Sequence, residues 1–326
     1  MKKVLVLGAG GFIGGHMVNR LQEKGNWVRA VDVKDHKHMS INCNDFILGD
    51  LTNYNVMKNV ITLDGHPFDE IYNFAADMGG AEYVFTGDND ANIMLNSSMI
   101  NTNLLKAQRE INWSLGRSST KIFYSSSACV YPEVDLTITG YSEDMAYPAN
   151  PDSEYGWEKL FAERLYKAAE NNYGIPTRVA RLHNVYGPYG TFEGGKEKAP
   201  AAICRKVSEA HKGSQINIFG DGTQVRSFLY IDDCIDGIEM LMNSNFSLPI
   251  NLGSEEAVSI GELADMVCEI ADKKLLKNYV HGPTGVTFRN SDSSLAKQMI
   301  GWNPKTSLMD GLRKTYSWIS SMTNNY

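Results

Sequence analysis

From residue 3 to residue 180, short apolar runs alternate with helically spaced apolar positions. The runs at 3–7, 27–33, 45–48, 71–74, 121–124 and 177–180 have the length of strands. Between them, residues 12–21 put Phe12, Ile13, Met17 and Leu21 on one helical face, and Gly25 stops the pattern. Further helices are expected over 53–61, 92–111 and 153–171. Strands separated by helices of this length predict parallel βαβ units, hence an α/β, doubly wound parallel sheet with helices on both faces. Ligands of such sheets sit at the carboxyl ends of the strands.

Beyond residue 184 the pattern loosens. Gly187, Pro188, Gly190, Gly194, Gly195 and Pro200 mark a loop-rich stretch. Helices are expected at 201–211, 232–242 and 260–271, with a strand at 215–219. This reads as a cofactor-binding domain over 1–183, with returns to its sheet from about 225–252. A smaller C-terminal substrate-binding lobe occupies most of 184–326.

With 43% hydrophobic and 21% charged residues, the chain is globular rather than disordered or fibrous. The net charge of −7 gives no support for a nucleic-acid partner but leaves room for a basic pocket around a small anion. No segment approaches the roughly 18 apolar residues of a membrane span, and the N-terminus lacks the apolar core and cleavage site of a signal peptide. Cys43, Cys129, Cys204, Cys234 and Cys268 are odd in number, widely spaced and form no CxxC pair. Neither a disulfide framework nor a metal site is expected, and the expected setting is a reducing cytoplasm.

Between the first strand and the first helix lies Gly8-Ala9-Gly10-Gly11-Phe12-Ile13-Gly14, with glycines 8, 11 and 14 in GxxGxxG spacing. In that context the missing side chains let backbone N–H groups approach a pyrophosphate at a helix N-terminus, the signature of a Rossmann-type dinucleotide site. Asp32 ends the second strand, where an acid accepts from the adenosine ribose and repels a 2′-phosphate. NAD is favoured over NADP, although Lys34 pulls the other way. Asp50 could accept from the adenine amino group or simply cap the next helix.

Tyr155 and Lys159 stand four apart and share a helix face. A tyrosine (pKa about 10) acts as a base only as phenolate, which a neighbouring ammonium and a nicotinamide cation both favour. Ser127, at the end of the 121–124 strand, can hydrogen-bond the same substrate hydroxyl, so the three suit hydride transfer from a sugar carbinol. By itself such a Tyr/Lys pair also occurs as an ordinary surface pair.

Together the glycine loop, strand-end serines and Tyr/Lys pair resemble the extended short-chain dehydrogenase/reductase family, over nearly the whole chain. That resemblance implies tightly bound NAD, a nucleotide-sugar substrate and a homodimer formed through the helices near 92–111 and 153–171. Three segments, Ala75-Ala76-Asp77-Met78-Gly79-Gly80, Ser126-Ser127-Ala128-Cys129-Val130-Tyr131-Pro132-Glu133 and Gly194-Gly195-Lys196-Glu197-Lys198-Ala199-Pro200, resemble a branch that inverts C3 and C5 of GDP-mannose. By that resemblance Ser127, Tyr155 and Lys159 run the redox step, and Cys129 and Lys198 are the acid/base pair. It also implies that Gly8, Gly11, Phe12, Ile13, Gly14, Asp32, Asp50, Leu51 and Ala75 hold the cofactor together with Tyr155 and Lys159. Gly79, Ser127, Cys129, Asn184, Glu197, Lys198, Ala199, Lys206, Gln224, Arg226 and Arg289 are then the substrate-contacting positions.

The chemistry suits these residue types. A ketone at C4 acidifies the hydrogens at C3 and C5, and inversion needs a proton removed from one face and delivered to the other. A thiol and an amine can be tuned toward neutrality for such work. The resemblance implies GDP-L-galactose as the main product, with GDP-L-gulose as a candidate second one. Two arginine forks, Arg226 and Arg289, suit a diphosphate on an acidic protein. His183 reads as a structural hydrogen-bonder, and the other cysteines as packing. Two stretches depart from the branch: Ala81-Glu82-Tyr83-Val84 and residues 135–139. The competing readings are a 4-epimerase or dehydratase, a 3,5-epimerase for another nucleotide sugar such as a GDP-heptose, and an NAD-binding regulatory protein.

Overall fold

The computed structural model describes all residues except 117–119, 134–138, 283 and 324–326, and the side chain of Ala81. Seven parallel strands form the central sheet: β1 (Lys3–Leu7), β2 (Trp27–Asp32), β3 (Asp45–Leu48), β4 (Glu70–Asn73), β5 (Lys121–Ser127), β6 (Thr177–Leu182) and β7 (Ile250–Leu252). Their spatial order is β7-β6-β5-β4-β1-β2-β3. The order reverses between β1 and β4, and crevices at such switch points take ligands.

The helices are α1 (Phe12–Glu23), α2 (Tyr54–Val60), α3 (Ala81–Phe85), α4 (Asp90–Ser114), α5 (Glu154–Tyr173), α6 (Ala199–Glu209), α7 (Ile231–Asn243), α8 (Ile260–Ile270), α9 (Ser294–Ile300) and α10 (Leu308–Thr323). Strand alternation divides the core. Val4 and Val6 of β1 join the cluster formed with α1 and α7, whereas Leu5 and Leu7 join the cluster formed with α2, α4 and α5. Both faces of β1 are therefore buried, which is why its sequence is a continuous apolar run rather than an alternating one.

Helix α5 is fixed at both ends. Ser153 caps it, accepting from the Gly156 N–H at 3.2 Å, and Gly174 closes it in a left-handed conformation (φ 65°). Along its length Glu163 takes both arms of the Arg181 guanidinium, at 2.9 and 2.8 Å, and the Ser126 hydroxyl at 2.5 Å. This buried pair ties α5 to β5 and β6 with its polar atoms satisfied, the condition for burying charge without a large penalty. Asn251 of β7 does similar work at the sheet edge. It accepts from the Tyr131 hydroxyl at 2.6 Å and from His183 Nε2 at 3.0 Å, and its amide donates to Tyr141 O and Asp292 O.

The C-terminal elements pack over the carboxyl ends of the strands. The strand Gln215–Phe219 pairs in parallel with Leu276–Val280. The strand Val225–Ser227 lies between Ala257–Ser259 and Phe288–Arg289. Among the described residues, no helix is long and apolar enough to cross a membrane, and no cluster of three His, Cys, Asp or Glu side chains could hold a metal ion.

Candidate active site

The glycine loop closes on itself tightly enough to explain its composition. Gly8 has φ 84°, and a Cβ there would lie 2.6 Å from the Ala75 amide nitrogen. A Cβ on Gly14 would meet Gly8 O at 2.1 Å, and one on Gly10 would meet Lys34 O at 2.1 Å. Gly11 caps α1, with Phe12 and Ile13 in its first turn. Asp32 stands beside this turn, its carboxylate accepting from the Gly10 N–H at 2.9 Å and the Lys34 N–H at 3.2 Å. Burial raises its carboxyl above the ordinary value, a cost that ribose hydroxyl donors would offset. The cradle fits a dinucleotide. Gly14→Val should cut retained nucleotide at least about tenfold, equivalent to about 1.4 kcal/mol of binding. Nucleotide released on denaturing the purified variant measures this; a full complement would exclude the loop as the cradle.

Asp50 is not the cap of α2. Asn53 fills that position, accepting from the Asn55 N–H, while Asp50 is exposed and accepts from the Thr52 N–H and hydroxyl. The helix-cap alternative for Asp50 is thereby removed, and its carboxylate instead holds the turn to Thr52. Leu51 is buried in the core between α2 and α4, and its carbonyl accepts from Asn103.

Strand β5 runs three residues beyond its apolar part, so the serines belong to the strand and Ser127 ends it. Ser127 then caps the turn Ala128–Val130, accepting from the Cys129 N–H at 3.2 Å. A Cβ on Gly156 would meet Cys129 O at 2.0 Å, so this turn rests directly on the start of α5. That contact brings Cys129 beside Tyr155, and Cys129 packs with Tyr155, Val84 and Ile93. Lys159 is buried, with its ammonium 5.5 Å from the Tyr155 ring centroid and donating to Ser125 O at 3.1 Å.

The expected lowering of the Tyr155 phenol does not occur in the protein alone. Burial pushes it up, helped by Cys129 and Glu158, and Ser127 only partly opposes this. Burial also pushes the Lys159 ammonium down, so its charge is too weakly held to offset the desolvation of the ring. Cys129 also moves away from neutrality, pushed up to about 11 by burial and then by Asp152. Lys198 moves in the expected direction, lowered by burial.

The position of Lys198 was not evident from the sequence. Pro200 marks a loop by composition, yet it lies in the first turn of α6, and Lys198 is that helix's N-cap. The positive end of the helix dipole adds to the pressure toward the neutral amine. Lys198 is still reached by solvent, because it lies on the wall of an open cavity. Water there preserves part of its hydration until a ligand displaces it.

That cavity has a volume of about 350 Å³. All eleven expected substrate positions line it: Gly79, Ser127, Cys129, Asn184, Glu197, Lys198, Ala199, Lys206, Gln224, Arg226 and Arg289. Tyr155 lines it too, as does Asp152, which the sequence did not single out. The divergent segment Ala81–Val84 folds into α3, where Glu82, Val84 and Phe85 form part of the wall. The other divergent stretch, 135–139, lies outside the described residues except for Thr139. On one wall of the cavity, strand register sets Arg226 directly beside Arg289. Like charges so placed repel, and Arg226 is pushed down to about 10 by burial and then by Arg289. An anion between them would relieve both effects. His183 is fully buried on Asn251 and lowered to about 3 by burial, a structural hydrogen-bonder as expected.

Residues 4–253 match the NAD dependent epimerase/dehydratase family. The chain is 43% identical over 322 residues to GDP-mannose 3,5-epimerase of Arabidopsis thaliana, covering 97% of this chain and 82% of that protein. A UDP-glucuronic acid 4-epimerase from Bacillus cereus, solved with UDP-glucuronic acid and NAD, superposes with a TM-score of 0.79 at 27% identity, covering 98% of this chain and 99% of that one. A UDP-glucose 4-epimerase from Thermotoga maritima shares the fold, with a TM-score of 0.85 at 24% identity over 98% of this chain and 99% of that one.

Proposed function

The chain belongs to the NAD-dependent epimerase/dehydratase family, and from that premise we propose that it inverts C3 and C5 of GDP-mannose through a transient 4-ketone. GDP-L-galactose is the product of both inversions and GDP-L-gulose the product of inversion at C5 alone. The observation that carries this reading is the presence of Cys129 and Lys198 on the wall of the same cavity as Ser127 and Tyr155. A 4-epimerase has no use for that second acid/base pair. The likeness to the Arabidopsis GDP-mannose 3,5-epimerase supports it.

In this reading Tyr155 takes the proton of the C4 hydroxyl, Ser127 orients that hydroxyl, and Lys159 steadies the phenolate. The glycine loop and Asp32 would hold NAD, which would supply the hydride acceptor for C4 and a positive ring charge that favours ionisation of Tyr155. The ketone turns each adjacent carbanion into an enolate, so Cys129 and Lys198 remove and return protons at C3 and C5. Arg226 and Arg289 hold the diphosphate, whose charge suits their cross-strand pairing. Two finer points belong to the same reading. Trp157 and Phe161, four apart on α5, are exposed and would be covered in a homodimer built through α4 and α5. The five cysteines are unpaired thiols, which suits a cytoplasmic setting.

The test is incubation with GDP-mannose in deuterated water. Deuterium is expected at C3 and C5 of the products, with no consumption of added NAD. Change at C4 alone, without label at either carbon, would favour a 4-epimerase; no turnover of any nucleotide sugar would leave a binding protein.

A further inference from the structure

Asp152 has no place in the mechanism described so far, yet its side chain is only 1% exposed and lines the cavity. Its backbone N–H meets Cys129 O at 3.4 Å, and its carboxylate acts electrostatically on the Cys129 thiol. The Ser153 hydroxyl donates to Oδ1 at 2.7 Å, and Arg289 Nη2 stands 2.8 Å from Oδ2. Arg289 is itself anchored, donating to Ala128 O at 2.9 Å on the turn that carries Cys129. The ion pair is close but not aligned as a hydrogen bond. Asp152 Oδ2 and Arg289 Nη2 and Nε are buried without hydrogen-bond partners.

The charges around Cys129 are lopsided. Lys159 from α5, Lys198 from the start of α6, and Arg226 and Arg289 from the paired C-terminal strands all interact with the sulfur. Ser127 and Tyr155 complete its polar surroundings. Among the described residues, Asp152 is the one carboxylate acting on the sulfur. Cationic surroundings favour the thiolate of reactive cysteines, and at Cys129 burial opposes them first and Asp152 second. Asp152, fixed by Arg289, is the charged part of that counterweight.

We propose that Asp152 is a positioning residue for Cys129: held by Arg289 beside the turn that carries the thiol, its carboxylate helps keep the hydrogen on the sulfur. The inference rests on the reading of Cys129 as an acid/base group, but it concerns the resting enzyme and can be tested without a sugar. The arrangement also links the two ends of the substrate site. Arg289 serves both the thiol's neighbour and the expected diphosphate position, so a bound anion shares the charge that holds Asp152.

The experiment follows iodoacetamide labelling of Cys129 against pH by peptide mass spectrometry, in the NAD-loaded protein, with Cys43 and Cys268 as internal references. In wild type the midpoint should lie above the roughly 8.5 of an ordinary thiol. Asp152→Asn should bring it down by about one pH unit or more, raising labelling at pH 7 about tenfold. Asp152→Glu, which keeps the charge, should stay near wild type. An Asn variant that keeps the wild-type midpoint would overturn the proposal. If that variant does not fold, as judged by lost NAD and a lost cooperative melt, a wild-type midpoint at or below 8.5 would overturn it instead. A shifted labelling midpoint with an unmoved pH profile of deuterium uptake would uphold the positioning role and remove Cys129 from the inversion chemistry.

Discussion

Tyr155→Phe is expected to abolish turnover, proton exchange and product formation together. The ring stays, so packing against Val84 and Ile93 is kept, but the oxygen that receives the C4 proton is gone. Loss of a positioned general base costs about 10²–10⁴ in rate, or about 3–5 kcal/mol of transition-state stabilisation. Because the ketone is the source of acidity at both neighbouring carbons, failure at C4 silences C3 and C5 as well. Nucleotide content should remain at wild-type levels, which separates a chemical defect from a folding one. Incubation with GDP-mannose in deuterated water, read by NMR at C3 and C5, checks it. Wild-type deuterium uptake by this variant would refute the redox route.

Cys129→Ala should divide the reaction at the next step. In the proposed mechanism oxidation at C4 uses Tyr155, Ser127 and Lys159, none of which loses a bonded partner on which its position depends, so substrate should still reduce the bound cofactor, seen as near-ultraviolet absorbance. Inversion should fall by about 10²–10⁴, again the worth of one acid/base group. Lys198→Met should fall similarly. The pair differs in one respect: the variant that retains the proton-removing group still washes deuterium into recovered GDP-mannose, and the other does not. Epimerised product at the wild-type rate from either would exclude that residue.

The same pair fixes a pH dependence in the unmodified enzyme. With Cys129 and Lys198 as the proposed acid/base pair, inversion needs one proton shared between them. Below the lowered value of the amine both groups are protonated, and above the thiol's value of about 11 both are bare. The one-proton state dominates between them, whichever residue carries it, so the rate should rise through the amine's titration and fall through the thiol's. A rate that declines as pH rises from 7 to 9 would contradict this order.

The parts of the site that were legible in the sequence are those where backbone geometry restricts residue choice. The glycine loop is one, because contacts of 2.1–2.6 Å leave no space for a Cβ at Gly8, Gly10 or Gly14. The Tyr155–Lys159 spacing is another, because it needs only one helical turn. What was not legible depends on tertiary proximity. Pro200 reads equally as loop or first turn, and only packing against α8 and α10 selects the helix that makes Lys198 its cap. Asp152 adjoins Ser153, the helix cap, so its type suggests a turn; nothing local announces an arginine 137 positions later in the chain. Strand β7 has three residues, too few for a periodic signal. The electrostatics were least legible of all. A neighbouring lysine suggests an activated tyrosine, whereas the folded protein buries both and leaves the phenol harder to ionise.

The late arrival of β7 bears on how the molecule is made. By the time Leu182 has left the ribosome, six of the seven sheet strands exist, but the outer edge of β6 has no neighbour until Ile250–Leu252 follows. At about 5–20 residues per second, that interval lasts several seconds, during which a row of bare amides and carbonyls invites pairing with another nascent chain. Asn251, which arrives with β7, then fastens that edge to Tyr131, His183 and Tyr141 in one step, so the same three residues of β7 that end the exposed edge also anchor it.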